Sequence, residues 1–142
     1  MHFTINDIIF IDNYFIKINE INYCKCSSKI IIKGVDIFTN AKYINTFLNL
    51  YLQTIKKVNI CYQNDIIKDD LIYNLIMNEY ELIDITIDDE LEILYGTKIK
   101  YINIVEPLTE LKNKIKNNLN DIIHLSIIEY NYMYKIISFR GE

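Results

Sequence analysis

Between Asn40 and Lys57 six apolar residues, Ile44, Phe47, Leu48, Tyr51, Leu52 and Ile55, recur at the three-and-four spacing of one helical face. A stripe that long has to be buried against another element, so the spacing predicts a helix over 40–57 docked on a sheet. Thr39 or Asn40 can cap its first turn, and Lys56-Lys57 complement the negative end of its dipole.

Strand patterns supply the sheet. Residues 3–11 and 14–18 flank Asp12-Asn13, a pair that tolerates the left-handed backbone of a tight hairpin. The apolar phase changes between Ile18 and Ile21, which predicts a bulge or turn at Asn19-Glu20. The run 29–33, with three isoleucines between lysines, suits a strand buried on both faces, and 58–63 alternates like a short strand. Asp69 or Asp70 can cap a second helix to Tyr80, with Leu71, Ile72, Leu75 and Ile76 inward. Ile83, Ile85 and Ile87 share one face of a further strand. Asp88-Asp89-Glu90 and Gly96-Thr97 then separate it from two more, 91–95 and 98–105. Pro107 opens a third helix whose stripe is Leu108, Leu111, Ile115, Leu119 and Ile122. The last strand places Ile128, Tyr130, Tyr132, Tyr134 and Ile136 on one face. The expected architecture is α+β: one globular domain over 1–142, with a single mixed or mostly antiparallel sheet and two to three packed helices.

A length of 142 residues suffices for a core without disulfides or a structural metal. Ile, Asn, Lys and Tyr abound while there are only 3 Gly, 1 Pro and no Trp, a bias that points to an AT-rich genome such as that of a virus, a phage or a low-GC bacterium. The net charge is −4 and the lysines are scattered, so a nucleic-acid partner is not expected. No segment reads as a secretion signal or a membrane span. Together with Cys24, Cys26 and Cys61, an odd number of thiols, this implies a reducing, cytoplasmic setting.

Candidate chemistry is sparse. Asp88-Asp89-Glu90 with Glu92 offers carboxylates to a hard cation but lacks the pattern of a calcium loop, and reads as a solvated turn. Cys24-Lys25-Cys26 with Cys61 would need His2 or His124 to complete a zinc site, so no metal is expected. A Cys61–His124 nucleophilic pair has no glycine turn beside it, and His124 is explained by the end of the third helix. Glu110-Leu111-Lys112 matches one element of nuclease signatures but sits on an amphipathic helix. With only Gly34, Gly96 and Gly141, neither a dinucleotide fingerprint nor a phosphate loop can be written, and no cofactor is expected. Tyr130, Tyr132 and Tyr134 form a ladder that is core if it faces a helix and an interaction face if exposed. An exposed terminal strand of this kind would also allow a homodimer.

The resulting expectation is a non-enzymatic protein-binding module with an unidentified protein partner. A viral or phage accessory protein, or an immunity-type inhibitor that blocks its target, would fit. The alternative is a small enzyme of unfamiliar type acting on a nucleotide or nucleic acid.

Overall fold

The computed structural model describes residues 3–24, 26–117 and 121–141. His2, Lys25 and Leu119, which entered the zinc and third-helix readings, lie outside the described residues. The chain divides into two compact units, Met1–Leu75 and Ile76–Glu142. The expected α+β class is overturned. The protein is mostly β, with eleven strands in two sheets, one α-helix of nine residues and two short 3₁₀ segments among the described residues.

The first unit holds β1 (Ile8–Ile11), β2 (Tyr14–Cys24), β3 (Lys29–Asp36), β4 (Lys42–Leu48), β5 (Lys56–Cys61) and β6 (Ile72–Ile76), in the sheet order β4-β3-β2-β1-β5-β6. Asp12 and Asn13 both adopt positive φ, so the β1–β2 hairpin closes through the two-residue turn expected of that pair. The phase change in β2 is a bulge: Ile18 pairs with Gly34 and Glu20 with Lys33, leaving Asn19 as the extra residue. Ile9, Ile16, Ile18, Ile30 and Ile32 form the core, with Phe3, Leu52 and Ile55 closing on it.

The helix expected over 40–57 is absent. Asn40 takes a positive φ and turns the chain back, while the buried Asp36 accepts the backbone N–H groups of Phe38 and Thr39 at 2.8 and 3.0 Å. Residues 42–48 then pair with β3 in register Ile30↔Phe47 and Lys33↔Ile44. Tyr43 and Phe47 pack on the core and Ile44 is exposed, which is the two-residue period of a strand. Only Leu52 and Ile55 of the stripe are buried, after a 3₁₀ segment over Asn49–Thr54. The second expected helix is also absent. The Asp69 carboxylate accepts the Leu71 N–H at 2.8 Å in a turn, and β6 follows, with Leu75 buried and Leu71 exposed.

The second unit holds β7 (Asn78–Ile85), β8 (Glu90–Tyr95), β9 (Lys98–Asn103), α1 (Thr109–Asn117), β10 (Ile123–Tyr130) and β11 (Met133–Gly141). Its sheet order is β11-β10-β7-β8-β9. The two acidic and glycine turns fall where expected, with Asp89 and Gly96 at positive φ. The shared face expected of Ile83, Ile85 and Ile87 is broken. Leu82 is buried and Ile83 exposed, and a bulge between Leu82 and Asp84 returns Ile85 to the core side. Ile87 is fully exposed. Leu108, Leu111 and Ile115 seat α1 on the core, whereas Ile122 is exposed beyond it. A parallel bridge, Ile104↔Tyr134, ties the chain just after β9 to β11, bringing the two ends of the sheet together. Five strands in this order, a helix between the third and fourth, and near-closure of the first edge on the last describe the partly open Greek-key barrel of the OB-fold.

Candidate functional site

Alternation along the strands determines what lies at one end of this barrel. Leu82, Ile93 and Ile102 point into the core, so Tyr80, Tyr95 and Lys100, each two residues away on its own strand, share the inward side at the end marked by the β8–β9 turn. Tyr134, also packed against the core, joins them from β11. The ring centroids of Tyr80 and Tyr95 are 5.9 Å apart at an interplanar angle of 38°. The Lys100 ammonium lies 5.7 Å from the Tyr95 centroid and 5.1 Å from that of Tyr134.

Tyr80, Tyr95 and Lys100 line a cleft of about 330 Å³ to which Asn78, Glu79 and Glu129 add polar edges. The Tyr134 hydroxyl raises the Lys100 pKa above the ordinary lysine value, and Glu129 adds to the shift while burial opposes it. Lys100 therefore stays charged across the neutral range. Burial pushes the Tyr80 phenol up, partly offset by Lys100, so Tyr80 stays a neutral donor. Glu79 is engaged by the Arg140 guanidinium at 2.6 Å, with His124 Nδ1 at 3.8 Å. The cleft thus presents aromatic surface, a fixed cation and the Glu129 carboxylate side by side.

The tyrosine ladder expected on one strand face is divided by a hairpin. Tyr130 ends β10 half-buried, Asn131 and Tyr132 form the turn with positive φ, and Tyr134 lies in β11 opposite Glu129. Tyr132 is 90% exposed at the tip, and of the three Tyr134 is the one whose ring meets the Lys100 ammonium. Sequence reasoning missed Tyr80, Tyr95, Lys100 and Glu129. The signal for Lys100 was a cation in phase with the buried Ile102.

The other candidates have ordinary surroundings. Asp89, in the β7–β8 turn, pairs with Lys112 of α1 at 2.6 Å, and Leu111 between Glu110 and Lys112 is buried. Cys24 is half-buried, Cys26 exposed and Cys61 buried, with the Cys61 sulfur 3.9 Å from Asn74 Oδ1. His124 lies in β10 between Glu81 and Arg140, so the helix-end explanation for it is corrected. Among the described residues no group of three or more His, Cys, Asp or Glu is placed to hold a metal, and no helix is long and apolar enough to cross a membrane. A hollow of about 370 Å³ in the first unit, beside Leu48, Leu50 and Gln53, is lined by no titratable side chain.

No protein-family model matches the chain, and no curated protein matches it in sequence. Solved structures do match in fold. A translation initiation factor eIF-5A family protein from Naegleria fowleri ATCC 30863 superposes with a TM-score of 0.58 at 20% identity, covering 98% of this chain and 93% of that one. Eukaryotic translation initiation factor 5A from Methanococcus jannaschii gives a TM-score of 0.54 at 14% identity, covering 97% and 89%. The fold is therefore similar to that of translation initiation factor 5A proteins. This finding overturns the expected viral or phage accessory protein and immunity-type inhibitor. It equally removes the ground for setting nucleic acid aside in favour of a protein partner.

Proposed function

We propose that the chain is a translation factor that acts in the cytoplasm by binding the ribosome and its RNA. The observation that carries this reading is the extent of the likeness in fold, which covers 98% of the chain and so takes in both compact units rather than one common module. The barrel of the second unit adds to it. OB-folds bind oligonucleotides across their second and third strands and the loops that flank them. Here β8 and β9 carry Tyr95 and Lys100, and the β10–β11 turn presents Tyr132. A net charge of −4 gives little nonspecific attraction to phosphate, so recognition rests on local groups and on shape.

Co-sedimentation tests the proposal. The full chain is mixed with purified ribosomes from a eukaryote and from an archaeon, the two lineages of the solved structures, and run through sucrose gradients. The expected result is migration with ribosomal particles from at least one source. A chain left at the top of every gradient, at low as well as physiological salt, overturns the reading.

A further inference from the structure

We propose that the cleft at the barrel end, between Tyr80, Tyr95, Lys100 and Glu129, captures a single unpaired guanine base. The inference rests on the reading that the chain works on RNA, and names the part of RNA this site takes.

Three observations lead there. The cleft is about 330 Å³, room for one heterocycle with part of its sugar but not for a duplex. Its aromatic surface is reachable, because Tyr95 is 58% exposed while Tyr80 is packed behind it. Unpaired bases are held by stacking on such rings. Its charged groups come in opposite signs, the Lys100 ammonium beside the Glu129 carboxylate, with Glu79 tied to Arg140. A phosphate would meet the carboxylate as well as the lysine, so the cleft suits a base edge better than a backbone.

The pairing of signs selects the base. A carboxylate accepts from two adjacent N–H groups, and an ammonium donates to a carbonyl oxygen. Guanine presents that set on one edge, with N1–H and N2–H donors next to the O6 acceptor. Adenine offers no carbonyl, and uracil and cytosine do not place two adjacent donors beside one. Glu129 would take the N1–H and N2–H pair, Lys100 would take O6, and Tyr95 would stack on the ring. No bond is made or broken.

Direct titration of the full chain tests this, with fluorescently labelled single-stranded hexamers UUGUUU, UUAUUU and UUUUUU read by anisotropy and GMP as competitor. The expected preference for the guanine hexamer over both others is about tenfold or more, the discrimination of one good bidentate contact. Glu129→Gln should reduce that preference to about threefold or less. Tyr95→Ala should weaken all three hexamers by about fivefold or more, the loss of one base stack. Circular dichroism confirms that each variant folds. Displacement of the guanine hexamer by millimolar GMP supports a pocket sufficient for the free nucleotide. Preference without displacement supports capture of the base within RNA. Equal binding of the three hexamers, or a guanine preference untouched by Glu129→Gln, overturns the site. The two proposals fail separately: ribosome co-sedimentation retained without guanine preference removes only the cleft, and guanine binding without co-sedimentation removes only the translation reading.

Discussion

Gly34 lies so close beneath β2 that a side chain there would run into the backbone carbonyl oxygen of Lys17 and the Ile16 methyl. The approach follows from the bulge, since the strand bends toward β3 where Asn19 is inserted and Gly34 pairs with Ile18 just before it. Replacement of Gly34 by alanine is expected to destabilise the protein by about 1–3 kcal/mol, because the clash is with main chain rather than with a movable tip. A urea midpoint within error of wild type would show that β2 can straighten.

Two leucines four residues apart should respond differently to truncation. Leu52 is 6% exposed and seals the core of the first unit, so Leu52→Ala should cost about 2–5 kcal/mol. Leu48 is 40% exposed at the end of an outer strand, and Leu48→Ala should remain within about 1 kcal/mol of wild type. Denaturant unfolding of both variants decides the matter. Equal losses would restore a helical stripe in which both are buried.

Burial, seconded by the Asp65 carboxylate, pushes the Cys61 thiol above its ordinary pKa. In native buffer at pH 8, iodoacetamide should therefore label the exposed Cys26 well before Cys61, as read by mass spectrometry. The sign for stability is the same. The unfolded thiol loses its proton first as pH rises, so its contribution is intact below the ordinary thiol value and declines above it. Labelling of Cys61 as fast as Cys26 would refute its placement in the core.

At the barrel end Tyr80 and Lys100 both have raised pKa values, the first chiefly through burial and the second chiefly through Tyr134. Each group then gives up its proton in the unfolded chain before it does so in the folded one. Stability should accordingly hold through neutral pH and fall above about pH 10. Tyr80→Phe should remove part of that alkaline decline in urea melts at pH 8 to 11. An unchanged slope would mean that Tyr80 titrates as though in water.

How much of this was legible in the sequence depended on the range over which each feature is encoded. The Asp12-Asn13 turn and the Asn19-Glu20 bulge are set by neighbouring residues, and both appear where the residues place them. The stripe over 40–57 misled because positions four apart suit both a helix face and every second inward place on a strand. Tyr43 and Phe47 satisfy the strand reading, and what selects it is the row of isoleucines in β3, many residues earlier. The tyrosine series was misread for a related reason. Unbroken alternation concealed the turn at Asn131, although asparagine readily takes the left-handed backbone needed there. For the cleft, Lys100 stood out only once Ile102 was known to face inward, and its neighbours Tyr80, Tyr95, Glu129 and Tyr134 come from four other strands that no local window spans together.

The meeting of β9 and β11 has a consequence for how the second unit breathes. Its backbone contact is the bridge between Ile104 and Tyr134, and close by Lys135 forms an ion pair with the partly exposed Glu106. A closure made of so few bonds opens at a lower free energy than the full ladders of β7, β8 and β10, so amide protons flanking it should exchange with solvent ahead of the rest of the barrel. Because one of the two ties is electrostatic, ionic strength weakens it, and added salt loosens the wall that carries Tyr134 while leaving the apolar interior intact.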